Sequence, residues 1–524
     1  MDGRTSVRAG WALAWMLSAT SIPVAADDLR LLTAVKNGSS PAVVRSLIKQ
    51  GAKVDATEPD GATALAWAAH RDNLETADLL VRAGADPNLA NTYGVTPLTL
   101  ACVNRSAAMV ETLLRAGANP NLTQWTGETA LMTCARTGHV EAVKSLLSRK
   151  ADVNVRETRQ GGHTALMRAV AAKHPEVVRA LIAAGADWRA RSKGGFTALL
   201  FAAQEGDLES ARILVAAGAN VNEVTAREPG ARRDLTGGAC IATTDRDRTG
   251  PDDPLCFVPA QNPSPLVMAT ASGHEALSLF LLERGADPNA ADAYGWTALH
   301  HAVPEGWAAM SGFLFRPFHD PVRRPNMPKL VEALLSRGAN PNARVTRRFS
   351  RLAMFTFREN NPVGGTPFAL AAAAGDVRIM RMMLAAGADP NLALEDGTTA
   401  LMLAAGAKRI IDGAGQERSK EEAAKALEAV QLIASLGADL DEPGPGGQTA
   451  LHHAASIQGD SIIQFLADKG ANLNAADRRG LTPYQIAAGV GQREGASKYE
   501  STMALLLKLG AKLPAGKTIG IDRF

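Results

Sequence analysis

This chain of 524 residues has a small net charge, few aromatic side chains and few long apolar runs. Its 56 basic and 53 acidic residues leave a net charge of +3, which excludes a protein whose whole surface binds polyanions. Aromatic residues make up 5% of the chain although hydrophobic residues make up 46%. We therefore expect small aliphatic side chains, chiefly alanine, to fill its core.

Motifs for covalent or metal-assisted chemistry are also missing from the sequence. It contains no nucleophile elbow, no phosphate-binding loop and no zinc-binding helix motif. No pairing of a nucleophile with a base can be read from the sequence. We therefore expect a protein that is not an enzyme.

The longest apolar run lies at the N-terminus, from about residue 9 to residue 24, and follows Arg4 and Arg8 in the sequence. The small residues Val24-Ala25-Ala26 then end it, which is the layout of a secretory signal peptide over residues 1–26. An uncleaved anchor is the alternative, but the run is shorter than the roughly 20 residues that a membrane span needs. We expect an exported protein, periplasmic or secreted, with no membrane span in its mature chain.

A repeated motif dominates the remaining sequence. A glycine followed by Thr-Pro-Leu or Thr-Ala-Leu recurs, with many intervals of 33 residues, as at 61 to 94, 94 to 127 and 162 to 195. Each start is followed by a Leu-Leu pair and then by Gly-Ala-Asp/Asn-x-Asn, as in LLVRAGADPN and LLRAGANPN. A fixed period of this length indicates stacked structural units.

The unit that begins at Gly94 shows how the motif specifies structure. Thr96 can cap a helix and Pro97 suits its first turn, and the apolar residues that follow share one face. The predicted core residues are Leu98, Ala101, Val110, Leu113 and Leu114. Gly117 predicts the end of a second helix. Each unit is therefore predicted to be two short antiparallel helices and a projecting loop.

These motifs and their period resemble those of the ankyrin repeat family. The resemblance covers nearly the whole chain after residue 26, with eleven recognisable starts and an atypical N-terminal unit at 28–56. It implies an all-α repeat, an ankyrin solenoid of about twelve helix-turn-helix units with projecting loops and several long insertions. It also implies a binding surface on the concave face, and structural hydrogen bonds for the histidines of the repeat starts, His300, His301, His452 and His453.

The repeat pattern divides the chain into segments. The predicted segments are a signal peptide at 1–26, a capping repeat at 27–60, repeats at 61–222, an insertion at 223–261, repeats at 262–344 with an insertion at 304–327, a basic and aromatic insertion at 345–363, repeats at 364–479 with an extended helix at 407–427, and a C-terminal capping repeat with tail at 480–524.

The four cysteines are Cys102, Cys134, Cys240 and Cys256. An exported protein can form disulfides, and four cysteines allow three full pairings. Cys102 and Cys134 fall on the first helices of adjacent units, about 10 Å apart by helix stacking, which exceeds the roughly 7 Å that a disulfide tolerates between Cα atoms. We expect those two to be buried thiols, and we expect a Cys240–Cys256 disulfide to close the insertion at 223–261.

The same insertion carries an acidic pattern. Oxygen ligands for calcium are offered by Asp245, Asp247, Thr249 and Asp253. The position at which a calcium loop normally has a bidentate glutamate is Cys256, so a solvated acidic loop is the alternative. No cofactor other than calcium is suggested.

Two insertions combine arginine with aromatic residues, a composition typical of interface hot spots. The predicted partner-binding residues there are Arg347, Arg348, Phe349, Arg351, Phe355 and Phe357, with Trp307 and Phe313 from the insertion at 304–327. The alternative is that the phenylalanines pack on the repeats while the arginines are solvated. We expect a protein partner, no nucleic acid, and a monomeric chain.

Aromatic residues also adjoin the glycines that begin the units. Tyr93 and Trp125 are candidate partner-binding residues, and Phe196, Tyr294 and Trp296 occupy similar places. Packing between neighbouring loops is equally compatible with these positions. The favoured function is a non-enzymatic scaffold for protein–protein interaction. The alternatives are a secreted effector directed at a host, and a solenoid whose insertions build a pocket for a small ligand, a metal or catalysis.

Overall fold

Short helices arranged in pairs account for nearly all the regular structure of the described residues. The structure is a computed structural model and describes residues 28–159, 161–225, 262–306, 324–347, 362–407, 419–490 and 498–513. By its internal contacts the chain divides into two compact bodies, Met1–Ala186 and Asp187–Phe524. In the described residues of both bodies, the all-α repeat predicted from the sequence is confirmed.

The N-terminal body contains repeats 1 to 5. Their helix pairs are Arg30–Lys36 with Pro41–Lys49, Ala64–His70 with Leu74–Arg82, Pro97–Val103 with Ala107–Arg115, Ala130–Thr137 with Val140–Ser148, and Ala165–Ala171 with Pro175–Ala183. Within each pair we call these the first and second helices. First helices pack on neighbouring first helices, and second helices on second helices.

The C-terminal body contains repeats 6 to 12. Their helix pairs are Ala198–Glu205 with Leu208–Ala216, Pro265–Ala271 with Glu275–Glu283, Ala298–His301 with Pro328–Ser336, Pro367–Ala374 with Val377–Ala385, Ala400–Ala405 with Lys420–Ser435, Ala450–Ser456 with Asp460–Asp468, and Pro483–Ala487 with Glu500–Lys508. A 3₁₀ turn lies at Pro445–Gly447. The second helix of repeat 10 has 16 residues, whereas the other second helices have nine.

Local sequence accounts for the ends of these helices. In repeat 3 the Thr96 side chain accepts a hydrogen bond from the Thr99 backbone N–H at 3.2 Å, which caps the first helix. Gly117, just beyond the second helix, has a φ of 90°, a conformation that costs glycine little. The predicted core residues of this repeat are all buried: Leu98, Ala101, Val110, Leu113 and Leu114. Burial of these apolar faces against the neighbouring repeats holds the stack together.

The Gly-Ala-Asp/Asn-x-Asn motif joins neighbouring repeats within each body. In the N-terminal body, the Asn121 side chain donates to the Lys150 carbonyl at 3.1 Å and accepts from the Asp152 N–H at 2.7 Å. In the C-terminal body, Asn222 makes the same two bonds, to Gly285 and from Asp287, across an interval lengthened by the first insertion. Repeats that flank that insertion are therefore bonded as directly as repeats without one.

The described residues at the two ends of each of three insertions lie close together. The Asn262 N–H donates to the Thr225 hydroxyl at 2.9 Å, and the Glu305 N–H donates to the Asn326 side chain at 3.2 Å. Val345 accepts from the Gly364 N–H at 2.8 Å. The chain therefore leaves the repeat stack and returns to it at nearly the same place.

One prediction about the cysteines is wrong. Cys102 and Cys134 are joined by a disulfide, with their Cα atoms 4.6 Å apart, although we expected them to be too distant. The stacking distance of about 10 Å separates helix axes, whereas Cα atoms lie about 2.3 Å off each axis. Residues on facing sides of two helices therefore lie closer together than the helix axes, and the residues next to the two cysteines, Ala101 and Ala135, are small and buried. Both cysteines are fully buried, as expected.

No helix within the described ranges is both long enough and apolar enough to cross a membrane. Regular strands are likewise missing from those ranges, where β-pairing is limited to isolated bridges. Two of these bridges close projecting loops of the N-terminal body: Thr57 with Thr63 and Thr123 with Thr129.

Candidate functional site

The projecting loops that end at repeats 2 to 5 form one row on the N-terminal body, which we call the tip row (residues 58–60, 92–93, 124–126 and 157–159). Backbone hydrogen bonds connect adjacent tips. The Thr92 N–H donates to the Asp60 carbonyl at 2.7 Å, and the Trp125 N–H donates to the Tyr93 carbonyl at 3.0 Å. The Arg159 N–H donates to the Thr126 carbonyl at 3.2 Å. These bonds fix the tips relative to one another.

A tight turn shapes the second tip. The Asn91 side-chain oxygen accepts from the Tyr93 N–H at 3.0 Å and from the Val95 N–H at 2.9 Å. Gly94 has a φ of 74°, and a Cβ atom there would come within 2.9 Å of the backbone of Gln124. A side chain at position 94 would therefore both strain the turn and push the neighbouring tip away.

The middle of the tip row presents two aromatic rings to solvent. Tyr93 is 47% exposed and Trp125 is 55% exposed. The Arg159 guanidinium lies over the Trp125 ring, 5.2 Å from its centroid. In the C-terminal body, by contrast, Phe196 and Trp296 are buried and serve packing. Exposed, rigidly held aromatic residues with an arginine are the side chains that most often dominate binding energy at protein interfaces.

The two ends of the tip row differ in charge. At the first tip, Glu58 forms an ion pair with Lys36 and accepts from the Trp67 indole N–H at 2.9 Å. At the fourth tip, no carboxylate among the described residues pairs with Arg159, which is exposed. The Glu58 charge at one end is thus compensated within the protein, while the Arg159 charge at the other end is left to solvent or to a ligand.

A buried ionic cluster holds the fourth tip. Glu157 accepts from the Arg168 guanidinium at 2.5 Å and lies 3.1 Å from Nδ1 of His163. Burial acts to raise the pKa of Glu157, but the hydrogen bond from His163 and the Arg168 charge outweigh it and lower that pKa. Because a buried carboxylate needs such partners, the loop is tied to the first helix of its repeat. Sequence analysis missed this cluster; its signal is the interval of 35 residues from Gly127 to Gly162, longer than the usual 33.

A shallow recess lies between the first helices of repeats 3 and 4, next to the tip row. Its apolar wall comes from Val95, Leu100 and Val103, and its polar wall from Gln124, Glu128 and Arg136. It has room for about one water molecule, so it suits part of a partner's side chain better than a free small molecule.

Of the four histidines of the repeat starts, His300 and His452 make the structural hydrogen bonds that the resemblance implies, whereas the buried Nε2 of His301 has no hydrogen-bond partner among the described residues. His300 accepts from the Thr297 N–H at Nδ1 and donates from Nε2 to the Gly365 carbonyl at 3.3 Å. His452 makes the equivalent bonds, with Leu481 as the acceptor at 3.0 Å. Burial lowers the pKa of His300 to about 4, so this ring is neutral at pH 7. Across the described ranges, no group of three or more His, Cys, Asp or Glu side chains is placed to hold a metal ion.

The predicted partner-binding residues fall partly within the described chain. Tyr93 and Trp125 lie in the tip row, and Arg347 is exposed at the base of the insertion that follows it, with its N–H 3.4 Å from the Tyr294 carbonyl. The residues outside the described ranges are Trp307, Phe313, Arg348, Phe349, Arg351, Phe355 and Phe357, the cysteines Cys240 and Cys256, and the calcium candidates Asp245, Asp247, Thr249 and Asp253. Their roles stay predictions.

Comparison with known proteins gives matches along most of the chain. A family model described as ankyrin repeats (3 copies) matches residues 31–124, 85–157, 131–225 and 421–513. Models described as ankyrin repeats (many copies) and ankyrin repeat match 266–306, 294–345 and 363–393.

Two curated proteins illustrate the similarity. A probable E3 ubiquitin-protein ligase XBOS33 from Oryza sativa subsp. japonica is 31% identical over 231 residues, which cover 43% of this chain and 35% of that protein. Protein glp-1 from Caenorhabditis elegans is 29% identical over 238 residues, which cover 43% of this chain and 14% of that protein. The matched segments are thus a minor part of both relatives.

Proposed function

Because this chain belongs to the ankyrin repeat family, we propose that it is a non-enzymatic scaffold that binds a partner protein through the tip row of its N-terminal body. Ankyrin repeats imply protein–protein interaction. The observation that carries the proposal is the pair of exposed rings, Tyr93 and Trp125, on tips joined by backbone hydrogen bonds. Rigid aromatic anchors lose little conformational entropy on binding, so the tip row is suited to hold a partner.

We propose further that the protein acts after export, in the periplasm or outside the cell. The N-terminal sequence pattern supports this location. The disulfide between Cys102 and Cys134 supports it independently, because such bonds persist in oxidising compartments and are rare in the cytosol. The insertion that begins beyond Arg347 is proposed as a second contact with the partner, through its arginine and phenylalanine residues.

The test of the tip row is capture of proteins from periplasmic and extracellular fractions by the tagged full chain. The double variant Tyr93→Ala with Trp125→Ala should lose the captured partner. Val43→Ala with Leu74→Ala is the matched control, because it also truncates two exposed apolar side chains of the same body, on second helices away from the tips. Loss of capture in the control, or retention in the tip variant, would contradict the proposal.

The second contact is tested by deleting residues 348–361. The deletion should spare Val345, which is buried and bonded to Gly364, so that the repeat stack keeps its described contacts. We expect weaker capture with unchanged helical content. Replacing Arg347, Arg348 and Arg351 by Glu should have the same effect, and unchanged capture by both variants would restrict the site to the tip row.

A further inference from the structure

We propose that the end of the tip row formed by Trp125 and Arg159 selects a partner segment in which an acidic side chain lies next to an apolar one. This inference rests on the proposed function, since it assumes that the tip row is the binding surface. It adds the chemistry of the segment that binds.

The Arg159 side chain carries the argument for an acidic residue. It is exposed, its guanidinium lies over the Trp125 ring at 5.2 Å, and no carboxylate in the described part of the chain pairs with it. The carboxylate of its own loop, Glu157, is buried and engaged with Arg168 and His163. A guanidinium held against a ring presents its N–H groups as a fixed fork, which fits a carboxylate.

The opposite end of the row does not compete for the same ligand. Glu58 is neutralised by Lys36, and Asp60 accepts a backbone hydrogen bond from Ala62 at 3.0 Å. The row therefore runs from two acids, of which Glu58 is paired with Lys36, past two rings, to the Arg159 guanidinium, which has no carboxylate partner among the described residues. A segment that is apolar over the rings and acidic at Arg159 matches this order by charge and by hydrophobicity.

The spacing of the two partner residues follows from the contact between Arg159 and Trp125. An acid bound to Arg159 stands beside the apolar group that packs on the Trp125 ring, since the guanidinium lies only 5.2 Å from the ring centroid. In an extended segment, side chains one or two positions apart are separated by about 3 to 7 Å. The acidic and apolar residues should therefore be adjacent or have one residue between them.

The experiment selects phage-displayed random linear peptides on the immobilised full chain and measures the best synthetic peptide by fluorescence anisotropy. The selected peptides should be enriched in Asp or Glu within two positions of an aliphatic or aromatic residue. Arg159→Glu should weaken binding by about tenfold or more, and a peptide whose acid is replaced by Lys should regain affinity for that variant. Arg189→Glu is the matched control, since Arg189 also lies over a tryptophan, Trp188, at 3.9 Å, outside the tip row.

The outcomes separate this inference from the proposed function. Peptides that need Tyr93 and Trp125 but show no acidic preference and tolerate Arg159→Glu would overturn the inference and leave the binding surface in place. Peptides that bind equally to the Tyr93→Ala/Trp125→Ala variant would overturn both. A selection that yields no binding peptide would overturn the inference that a short segment suffices, and the capture experiment then decides the proposed function alone.

Discussion

The loop residues at positions 91, 292 and 477 occupy similar places. The second carboxylate oxygen of Asp292 distinguishes it from the other two. Asn91, Asp292 and Asp477 each accept backbone N–H bonds from the residues two and four positions later. At Asp477 the other oxygen accepts from the Arg479 guanidinium at 2.9 Å. At Asp292 the other oxygen is buried with no hydrogen-bond partner among the described residues. Burial therefore raises the pKa of Asp292 to about 6, and hydrogen bonds from the turn offset only part of this rise.

We predict that Asp292→Asn stabilises the protein above pH 6. The folded-state pKa of about 6 exceeds the ordinary value of 3.8, so the folded chain binds more protons between these values. The stability contributed by Asp292 is therefore highest at low pH. It falls as the pH rises from 3.8 to about 6, and it stays reduced above that pH. Asparagine, as at position 91, should recover about 1–2 kcal/mol at pH 7 and should flatten the dependence. Urea unfolding at pH 4.5 and pH 7 measures both effects.

The matched control is Asp477→Asn. Burial acts to raise the pKa of Asp477, but hydrogen bonds from Leu481 and Arg479 and the guanidinium charge outweigh it and lower that pKa. This carboxylate therefore stabilises the fold above its ordinary pKa, and its stabilisation is lost as the pH falls. The control should lower stability at pH 7. Equal effects of the two substitutions would contradict the assigned difference in partners.

Which loop aromatics are exposed could not be read from the sequence. Phe196 and Trp296 follow the glycine of their loops and lie directly before the threonine that caps the first helix, so they are buried. Tyr93 and Trp125 precede the glycine and point to solvent from the turn. All four adjoin the same motif, and the side to which each ring turns depends on a backbone reversal at glycine that composition does not reveal.

At the scale of helices, the accuracy of prediction depended on whether the signal was local. Thr96 and Gly117 mark helix ends through bonds within a few residues, and the structure confirms the helices between them. The Cys102–Cys134 bond joins helices 32 residues apart in sequence, and its feasibility depends on which sides of the two helices face each other. The stacking distance alone gave the wrong answer because it describes axes and not facing residues.

We predict that replacing both Cys102 and Cys134 by alanine lowers the free energy of unfolding by about 3–4 kcal/mol, because the bond closes a long loop in the unfolded chain. Alanine is chosen because both sites are fully buried and a serine hydroxyl there would need a partner. Urea unfolding with and without a reductant gives the measurement. With Cys240 and Cys256 replaced by serine, the chain should lose the same amount on reduction, whereas adding the two alanine substitutions should abolish the response.

The remaining two cysteines supply the control for that measurement. A Cys240→Ser/Cys256→Ser variant should still lose stability on reduction, because the bond between the first helices is intact. Peptide mapping without reductant should find Cys102 linked to Cys134, and it tests the predicted Cys240–Cys256 bond at the same time. Free thiols at Cys102 and Cys134 in exported protein would contradict the structural assignment.

Across the C-terminal body, asparagine bridges keep the repeats in register past the insertions at 223–261, 304–327 and 345–363. Asn289 donates to Gly338 at 2.9 Å and Asn342 donates to Gly387 at 2.9 Å, across 49 and 45 residues instead of the usual 29 to 31. The stability of a repeat array is approximately the sum of repeat and neighbour-interface terms. Insertions that leave these interfaces intact should therefore cost the fold little and remain available for function.

We predict that replacing residues 226–261 by a short Gly-Ser linker changes the free energy of unfolding by less than the single substitution Asn222→Ala. The linker spans two residues already in contact, Thr225 and Asn262, and a shorter loop has a smaller closure entropy. Asn222→Ala removes two bonds, to Gly285 and from Asp287, and should cost about 1–2 kcal/mol. Urea unfolding curves of the linker variant and of Asn222→Ala give the comparison: where the two curves have the same dependence on urea concentration, the variant with the lower midpoint is the less stable one. If the linker variant unfolds in two separate transitions, or is less stable than Asn222→Ala, the insertion takes part in holding repeats 6 and 7 together.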